Sequence, residues 1–471
     1  MTNRICIVAV AALAASMPAL AIAQAPARAT RSASSASVAS ASDTAKVSDS
    51  TLATPKKAPP TPRYVLPPQE MQYMRRSDQR GVNVFESTKE AGVDYTGFKL
   101  NWGGAFTQQF QNLTHQNTAA PKVVAGVDAN SLIPIGSGFN NADANLFLNV
   151  QVARGIRVAV ESYASARHHQ ESWIKDGYFQ IDASPIENPL LDKLMEYTTL
   201  KVGHFEVNYG DQHFRRSDNG QTIYNPFVGN FIIDAFTTEI GAEAYLKSDG
   251  LFAMAGMTGG EVHGQVTAPG RRGPSYLAKI GADEQLTNDL RVRLTGSMYK
   301  TDRSVNNTLT SGDRGGSRYY DVLENTASTE TANAWSGAIQ TGMSNIMTAF
   351  VVNPFIKFRG AEFFGNVETM TGANPAELRR TLRQLAGEGL YRFWNDKLYV
   401  GGRYNSVTGE LAGMSNDITV KRSQVGGGWF VTPNVLSKIE FVNQNYYDFP
   451  TSDIRNGGKF QGFMVEGVVA F

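Results

Sequence analysis

From about residue 97 to the terminal Phe471 apolar and polar residues alternate in runs of about ten, and no other feature restricts the fold so tightly. A period of two is the mark of a β-strand with two unlike faces. Leu146, Leu148, Val150 and Val152 share one face. After Arg154-Gly155 the same face resumes at Ile156, Val158 and Val160, with Arg157 and Glu161 opposite. Later, Leu290, Val292, Leu294, Gly296 and Met298 alternate with Arg291, Arg293, Thr295, Ser297 and Tyr299. The expected fold is all-β: a transmembrane antiparallel β-barrel over 97–471, with lipid-facing and lumen-facing side chains alternating along each strand.

The punctuation between the runs sets the strand count. Tight turns are expected at Arg154-Gly155, Lys247 to Gly250, Thr287 to Asp289, Arg359-Gly360, Asn395 to Lys397 and Thr432 to Asn434. These use the Gly, Asn, Asp and Pro chemistry of hairpins. A longer seventh connection is expected near Pro185 to Glu196. Long polar loops fall at 114–143, 168–175, 210–231, 261–274, 302–334, 372–384, 407–417 and 448–458. Seven turns and eight loops join about 16 strands, with both termini on the turn side. A soluble sandwich of this length would split into domains and would not sort its connections into alternating short and long.

The ends carry addressing signals. Arg4 followed by an apolar run from Ile5 to Leu20, with Ala21-Ile22-Ala23 before Gln24, reads as a cleaved signal peptide over 1–23. The alternative, an uncleaved anchor, is disfavoured by the shortness of the apolar run. Residues 24–62 are almost wholly Ala, Ser, Thr and Pro and are expected to be a disordered tether. Residues 63–96 are expected to form a periplasmic segment or a partial plug of the barrel mouth. At the other end Phe463, Val465, Gly467, Val469 and Phe471 alternate through the last residue, with Glu466 opposite. A final strand closing on an aromatic residue looks like the signal read by the outer-membrane barrel assembly machinery. The expected location is therefore the outer membrane of a Gram-negative cell, with membrane lipid and, during biogenesis, that machinery as partners.

Composition removes several function classes. The single cysteine, Cys6, lies in the signal, so the remainder has no disulfide, zinc-thiolate or cysteine-nucleophile chemistry. The whole chain is formally +1. Arg4 leaves with the signal, and 24–62 holds five bases (Arg28, Arg31, Lys46, Lys56, Lys57) against two acids (Asp43, Asp49). The rest is then formally −3, which is no footprint for nucleic acid. No later stretch is long and apolar enough for a spanning helix. His-Glu-x-x-His, Walker and Gly-x-Ser-x-Gly patterns are missing. Neither an enzyme nor a cofactor or metal requirement is expected, although a barrel enzyme built from single residues on separate strands leaves no such motif. His168-His169 with Glu171 is read as loop surface rather than a metal site.

Several stretches resemble the family of phosphate-selective porins O and P. They are Arg80-Gly81-Val82-Asn83-Val84-Phe85-Glu86, Lys201-Val202-Gly203-His204-Phe205-Glu206-Val207-Asn208-Tyr209-Gly210 and Val352-Asn353-Pro354-Phe355-Ile356-Lys357-Phe358-Arg359-Gly360. Ala361-Glu362-Phe363-Phe364-Gly365 and Leu398-Tyr399-Val400-Gly401-Gly402-Arg403-Tyr404-Asn405 add to them. The resemblance implies a 16-stranded, usually trimeric channel for small solutes or ions. Its phosphate selectivity rests on pore-lining bases, and no arginine ladder maps onto this sequence residue by residue.

The candidate site follows from the alternation. Lumen-facing bases are Lys99, Arg157, Arg291, Arg293, Lys357, Arg392, Arg403 and Lys438. Lumen-facing acids are Glu161, Glu239, Glu243, Glu362, Glu368, Glu440 and Glu466. Charges at such positions tune ion selectivity, or pair across strands and hold the wall together. The third long loop is the constriction candidate, with Asp211, His213, Arg215, Arg216 and Asp218. Arg215 and Arg216 suit an anion, or else sit in an exposed loop tip with an internal Asp–Arg pair. In strand 198–209 the phase changes between Val202 and Phe205, which predicts a bulge there. Two functions remain on this reading: a passive porin for small hydrophilic solutes, with anions such as phosphate as candidates, or a structural or adhesive envelope barrel with a blocked lumen.

Overall fold

The computed structural model describes residues 68–471 except 88, 90–92, 166–171, 261–269, 271–272, 312–317 and 334. The expected signal peptide, the tether, and His168, His169 and Glu171 lie outside the described residues. Sixteen antiparallel strands close into one barrel, each hydrogen-bonded to its neighbours in sequence and the first to the last. They are β1 Lys99–Gln116, β2 Gly138–Ala153, β3 Ile156–Ser165, β4 Ser172–Ile181, β5 Thr198–Glu206, β6 Thr238–Ser248, β7 Leu251–Thr258 and β8 Ser275–Gln285. The second half comprises β9 Leu290–Thr301, β10 Ile346–Phe358, β11 Ala361–Ala373, β12 Arg380–Phe393, β13 Leu398–Gly409, β14 Ile418–Thr432, β15 Val435–Tyr447 and β16 Lys459–Ala470.

All six expected tight turns join consecutive strands at one end. Asp249 (φ 49°) and Gly250 (φ 78°) adopt the left-handed pair that a two-residue hairpin needs. The seventh connection holds a short helix, α1 Pro189–Met195, whose first amides are capped by the Asn188 side chain. Closure runs along β1 and β16, from Ala105 opposite Ala470 to Gln116 opposite Lys459. Phe471 extends the seam by exchanging backbone hydrogen bonds with Gly104 at 2.9 and 3.0 Å. Its ring packs edge-on to Trp102, with centroids 5.9 Å apart, and stacks on Phe106.

The outer face is apolar. Leu146, Leu148, Val352, Val367, Leu385, Val425 and Ile439 stand exposed around it. Exposed aromatics gather towards its ends: Phe98, Trp102, Phe358, Trp394 and Trp429 near the turns, Phe139, Tyr276 and Tyr447 near the loops. An unbroken apolar band with aromatic borders is stable in lipid and a liability in water.

Two features depart from simple alternation. The bulge expected in strand 198–209 is not there: β5 pairs with β4 and β6 without a register shift. Val202 faces outward and Phe205 inward, as their odd separation requires. The register slips elsewhere, at Gln109/Phe110, Gln151/Ala153 and Phe430/Thr432, and between β3 and β4 at Glu161/Ser162. Glu161 opposes Asp176 and Ser162 opposes Ile174, so the extra residue Lys175 turns inward beside Asp176 and both are buried.

The second departure is an apolar interior at the loop end. Leu382, Val407, Ile418, Val420, Val442, Phe460 and Met464 point inward and are buried. They pack against Ile232 and Ile233 from the third loop and Leu309, Val322, Ile339 and Met343 from the fifth. This end is a dry core rather than a wet vestibule.

Candidate functional site

The third loop, 207–237, folds back into the barrel, and nearly every residue of it is buried. A loop inside a barrel has many backbone groups to satisfy, and lumen side chains of distant strands do so. Lys438 Nζ donates to the carbonyls of Thr222, Asn225 and Phe227 at 3.0–3.1 Å. Glu440 accepts from the Val228 amide at 2.7 Å, Asn405 from Ile232 at 2.6 Å and Gln384 from Ile233 at 2.8 Å. Arg403 donates to Gly229 O and Arg422 to Asn230 O. Further round the same wall, on β1, Thr107 Oγ1 donates to Gly220 O at 2.7 Å. The loop springs from β5 and β6 and is tied to β12–β15 and β1 on the far side, so it crosses the lumen.

The five loop residues singled out by sequence lie in this crossing. Asp211 is fully buried and receives Lys279 and Arg293 at 2.8 Å each. His213 sits between Glu206 and Asn208, 3.0 Å from each. Arg215 is ion-paired to Glu388, and to Glu362 at 3.2 Å. Arg216 pairs with Asp218 at 2.9 Å and Asp234 at 2.6 Å. Asp218 also takes Lys175 and the Tyr163 hydroxyl. The reading of an exposed loop tip therefore does not hold, although the internal Arg216–Asp218 pair exists. Both arginines are spoken for by carboxylates.

The wall positions pair in the same way. Arg291 holds Asp283 at 2.7 Å, Lys357 holds Asp396 at 2.8 Å, and Arg392 holds Glu362. Arg403 binds Glu388 at 2.8 Å and Lys438 binds Glu466 at 2.5 Å. Glu239 accepts from Tyr299 at 2.5 Å, Glu243 from Tyr245 at 2.6 Å and Glu368 from Gln384 at 3.1 Å. Lys99, at the turn-end rim, donates to Glu70 O. Glu161 accepts from Asn145 at 2.7 Å. Arg157 is bound through amide oxygens, Asn149 Oδ1 and Gln180 Oε1, as Arg422 is through Gln444 Oε1 and the carbonyls of Asn230 and Gly337. Alternation did not single out Lys175, Asp176, Lys279, Arg422, Glu388 or Glu86. For Lys279 and Glu388 the period-two pattern was a usable signal, since each sits among inward positions of its strand; the bulge hid Lys175.

A second segment enters from the turn end. Residues 68–87 run beneath the third loop, with Met71 and Phe85 buried. Arg75 stacks on the Tyr224 ring at 3.5 Å and donates to Phe214 O. The Tyr224 hydroxyl donates to Arg76 O at 2.6 Å, and the Gln79 amide donates to Pro433 O. Glu86 closes the segment, 2.7 Å from Lys279 and 2.5 Å from Arg293. Burial opposes its charge, but those two cations hold its carboxyl well below the usual carboxylate range. Between segment, loop and strands β2–β5 lies a cavity of about 480 Å³ lined largely by charged and aromatic side chains.

No family model matches the chain, and no curated protein matches it in sequence. Solved structures do match in fold. An anion-selective porin from Comamonas acidovorans superposes with a TM-score of 0.51 at 10% identity, over 79% of this chain and 100% of that one. The outer membrane channel DcaP of Acinetobacter baumannii gives 0.46 at 11%, over 81% and 100%. OmpT, an outer membrane protein of Vibrio cholerae in a trimer form, gives 0.47 at 11%, over 80% and 100%. At such identity the likeness to the Comamonas porin is one of fold: this chain has the closed barrel architecture of a porin.

Proposed function

We propose that this protein is an outer-membrane channel passing small hydrophilic solutes by diffusion. The observation that carries the reading is the polar cavity inside a lipid-facing barrel, between the inward-folded loop and strands β2–β5. A barrel of this strand number is wide enough for water, and here loop and apolar core confine the wet space to one side. Charged walls then choose among solutes. Arg215 and Arg216, held by carboxylates, serve to fix the loop, so any anion preference, phosphate included, rests on other cations. Trimeric assembly in the outer membrane, after export and insertion by the barrel machinery, belongs to the same reading. Liposome swelling tests it: proteoliposomes in isotonic amino acid or sugar should swell faster than empty vesicles, and equal rates would refute it.

One observation favours a second reading. Segment 68–87 is stitched into the turn-end mouth by buried ion pairs and backbone hydrogen bonds, as a plug would be. Under that reading the barrel is an anchor whose lumen is shut. Deleting residues 24–96 then raises conductance strongly, whereas a simple porin changes little.

A further inference from the structure

Above the apolar band, at the loop end, the outer face of β12–β15 turns polar and cationic. On β13 Tyr404 gives way to Ser406 and Thr408, and on β14 Val425 gives way to Ser423 and Lys421. Two neighbouring rows of cross-strand partners hold the change. One runs Val352, Val367, Leu385, Ser406 and Lys421 from β10 to β14. The next row towards the loops reads Phe350, Thr369, Arg383, Thr408 and Thr419. Arg383 and Lys421 both stand exposed, on either side of β13 and one row apart. Two strand spacings and two residues separate their backbones, about 12 Å. Between them the Thr408 and Thr419 hydroxyls lie 3.4 Å from each other. Among the described residues this half of the outer face of β12–β15 carries no acid; Glu410 and Asp417 begin only in the loop above.

Beside the bases the wall is hollowed. A groove of about 610 Å³ opens on it across β10–β13. The exposed side chains of Val352, Val367 and Leu385 make its floor, and Arg383, Ser406 and Thr408 close it towards the loops. An apolar floor under a guanidinium suits an acyl chain whose head carries phosphate. Lys421 Nζ lies 5.5 Å from the ring centroid of Tyr447, and such amphipathic rings sit at the level of lipid heads. The long loops of these barrels face outside, so this surface meets the outer leaflet. A second copy of the chain fits it poorly, because a symmetric contact would set the two cations against their own copies with no acid to meet them. A glycerol phospholipid brings one phosphate and would leave the second base and the intervening hydroxyls uncovered. A head with two phosphates on a sugar covers all of them.

We propose that the outer face of β10–β14 binds a phosphorylated glycolipid of the outer leaflet, its phosphates on Arg383 and Lys421 and an acyl chain in the groove over Val352, Val367 and Leu385. The test is native mass spectrometry of the folded, detergent-solubilised full chain with bisphosphorylated lipid A, its monophosphoryl form and phosphatidylglycerol. Lipid A should bind most tightly. Arg383→Gln and Lys421→Gln should each weaken it about tenfold. Leu385→Trp fills the groove, spares both charges and should weaken it as well. All three side chains stand exposed on the outer face, so the substitutions leave the barrel folded. Phosphatidylglycerol binding as tight as lipid A, lipid A binding indifferent to the substitutions, or no binding would each overturn the site. A fall in subunit number when Arg383→Gln and Lys421→Gln are combined would make this face a contact between copies and overturn it too. The site does not rest on the channel reading, since a barrel that conducts nothing would bind the same lipid.

Discussion

Replacing Glu86 by Gln should loosen the segment that enters the barrel mouth without unfolding the barrel. The carboxylate contacts Lys279 at 2.7 Å and Arg293 at 2.5 Å, and its Oε1 also accepts from Asn208 at 3.1 Å. Both cations keep Asp211 as a partner at 2.8 Å, so the change strands no buried positive charge. What is lost is the charge-assisted part of two hydrogen bonds, about 2 kcal/mol in all. That corresponds to roughly thirty-fold more frequent opening of 68–87. The remaining ties, Arg75 to Phe214 O, Tyr224 to Arg76 O and Gln79 to Pro433 O, keep the segment docked most of the time. Hydrogen exchange on peptides from 68–87 should show protection falling by about that factor, while β9 and β10 stay protected. A carboxylate whose folded pKa is depressed stabilises at every pH above its unfolded value and is lost only as pH falls through the folded one. Docking in the unsubstituted protein should therefore be constant from about pH 8 to pH 5. Unchanged exchange in the Glu86→Gln protein would show that the ion pairs do not hold the segment.

Four further outcomes follow. Arg215→Ala leaves Glu362 and Glu388 buried with only Arg392 and Arg403 to meet them, and should lower resistance to urea by about 2–4 kcal/mol. If Arg215→Ala with Arg216→Ala leaves the reversal potential in a salt gradient unchanged, these arginines have no part in selectivity. Glu324, on the fifth loop, has its carboxyl raised to about 7 chiefly by burial, against a hydrogen bond from Ser336. A raised carboxyl favours the folded loop when protonated, so that loop should exchange more slowly at pH 5.5 than at pH 8 once intrinsic rates are removed; equal protection would refute it. Phe471→Ser removes the contacts with Trp102 and Phe106 at the seam and should reduce the yield of heat-modifiable barrel in outer membranes; normal yield would contradict a role for the terminal ring in closure.

How far the sequence spoke depended on which solvent enforced the pattern. Lipid tolerates no break in the outward period, so Leu146 to Val152 and Leu290 to Met298 announced their strands, and Asp249-Gly250 and Arg154-Gly155 their turns. The interior obeys no such rule. Ile418 and Val420 face inward because the third and fifth loops fill the loop end, and nothing local distinguishes them from lipid-facing residues. Lys175 and Asp176 enter together through a one-residue bulge, which a reading by parity must misplace. The odd spacing of Val202 and Phe205, taken as a bulge, is ordinary alternation with an apolar residue on each face. Arg215 and Arg216 looked free because their partners, Glu388, Glu362 and Asp234, lie up to 173 residues away or around a turn of the loop. Pairing across a barrel is a property of closure and has no trace in a window of sequence.

Single-channel recording in a planar bilayer, with protein shown by circular dichroism to be folded, addresses the central claim most directly. Discrete, stable conductance steps, with a reversal potential in a salt gradient, are what a water-filled passage beside the inward-folded loop predicts. Silence from the folded barrel, ended by deleting residues 24–96, would contradict the open passage and make the docked segment a plug.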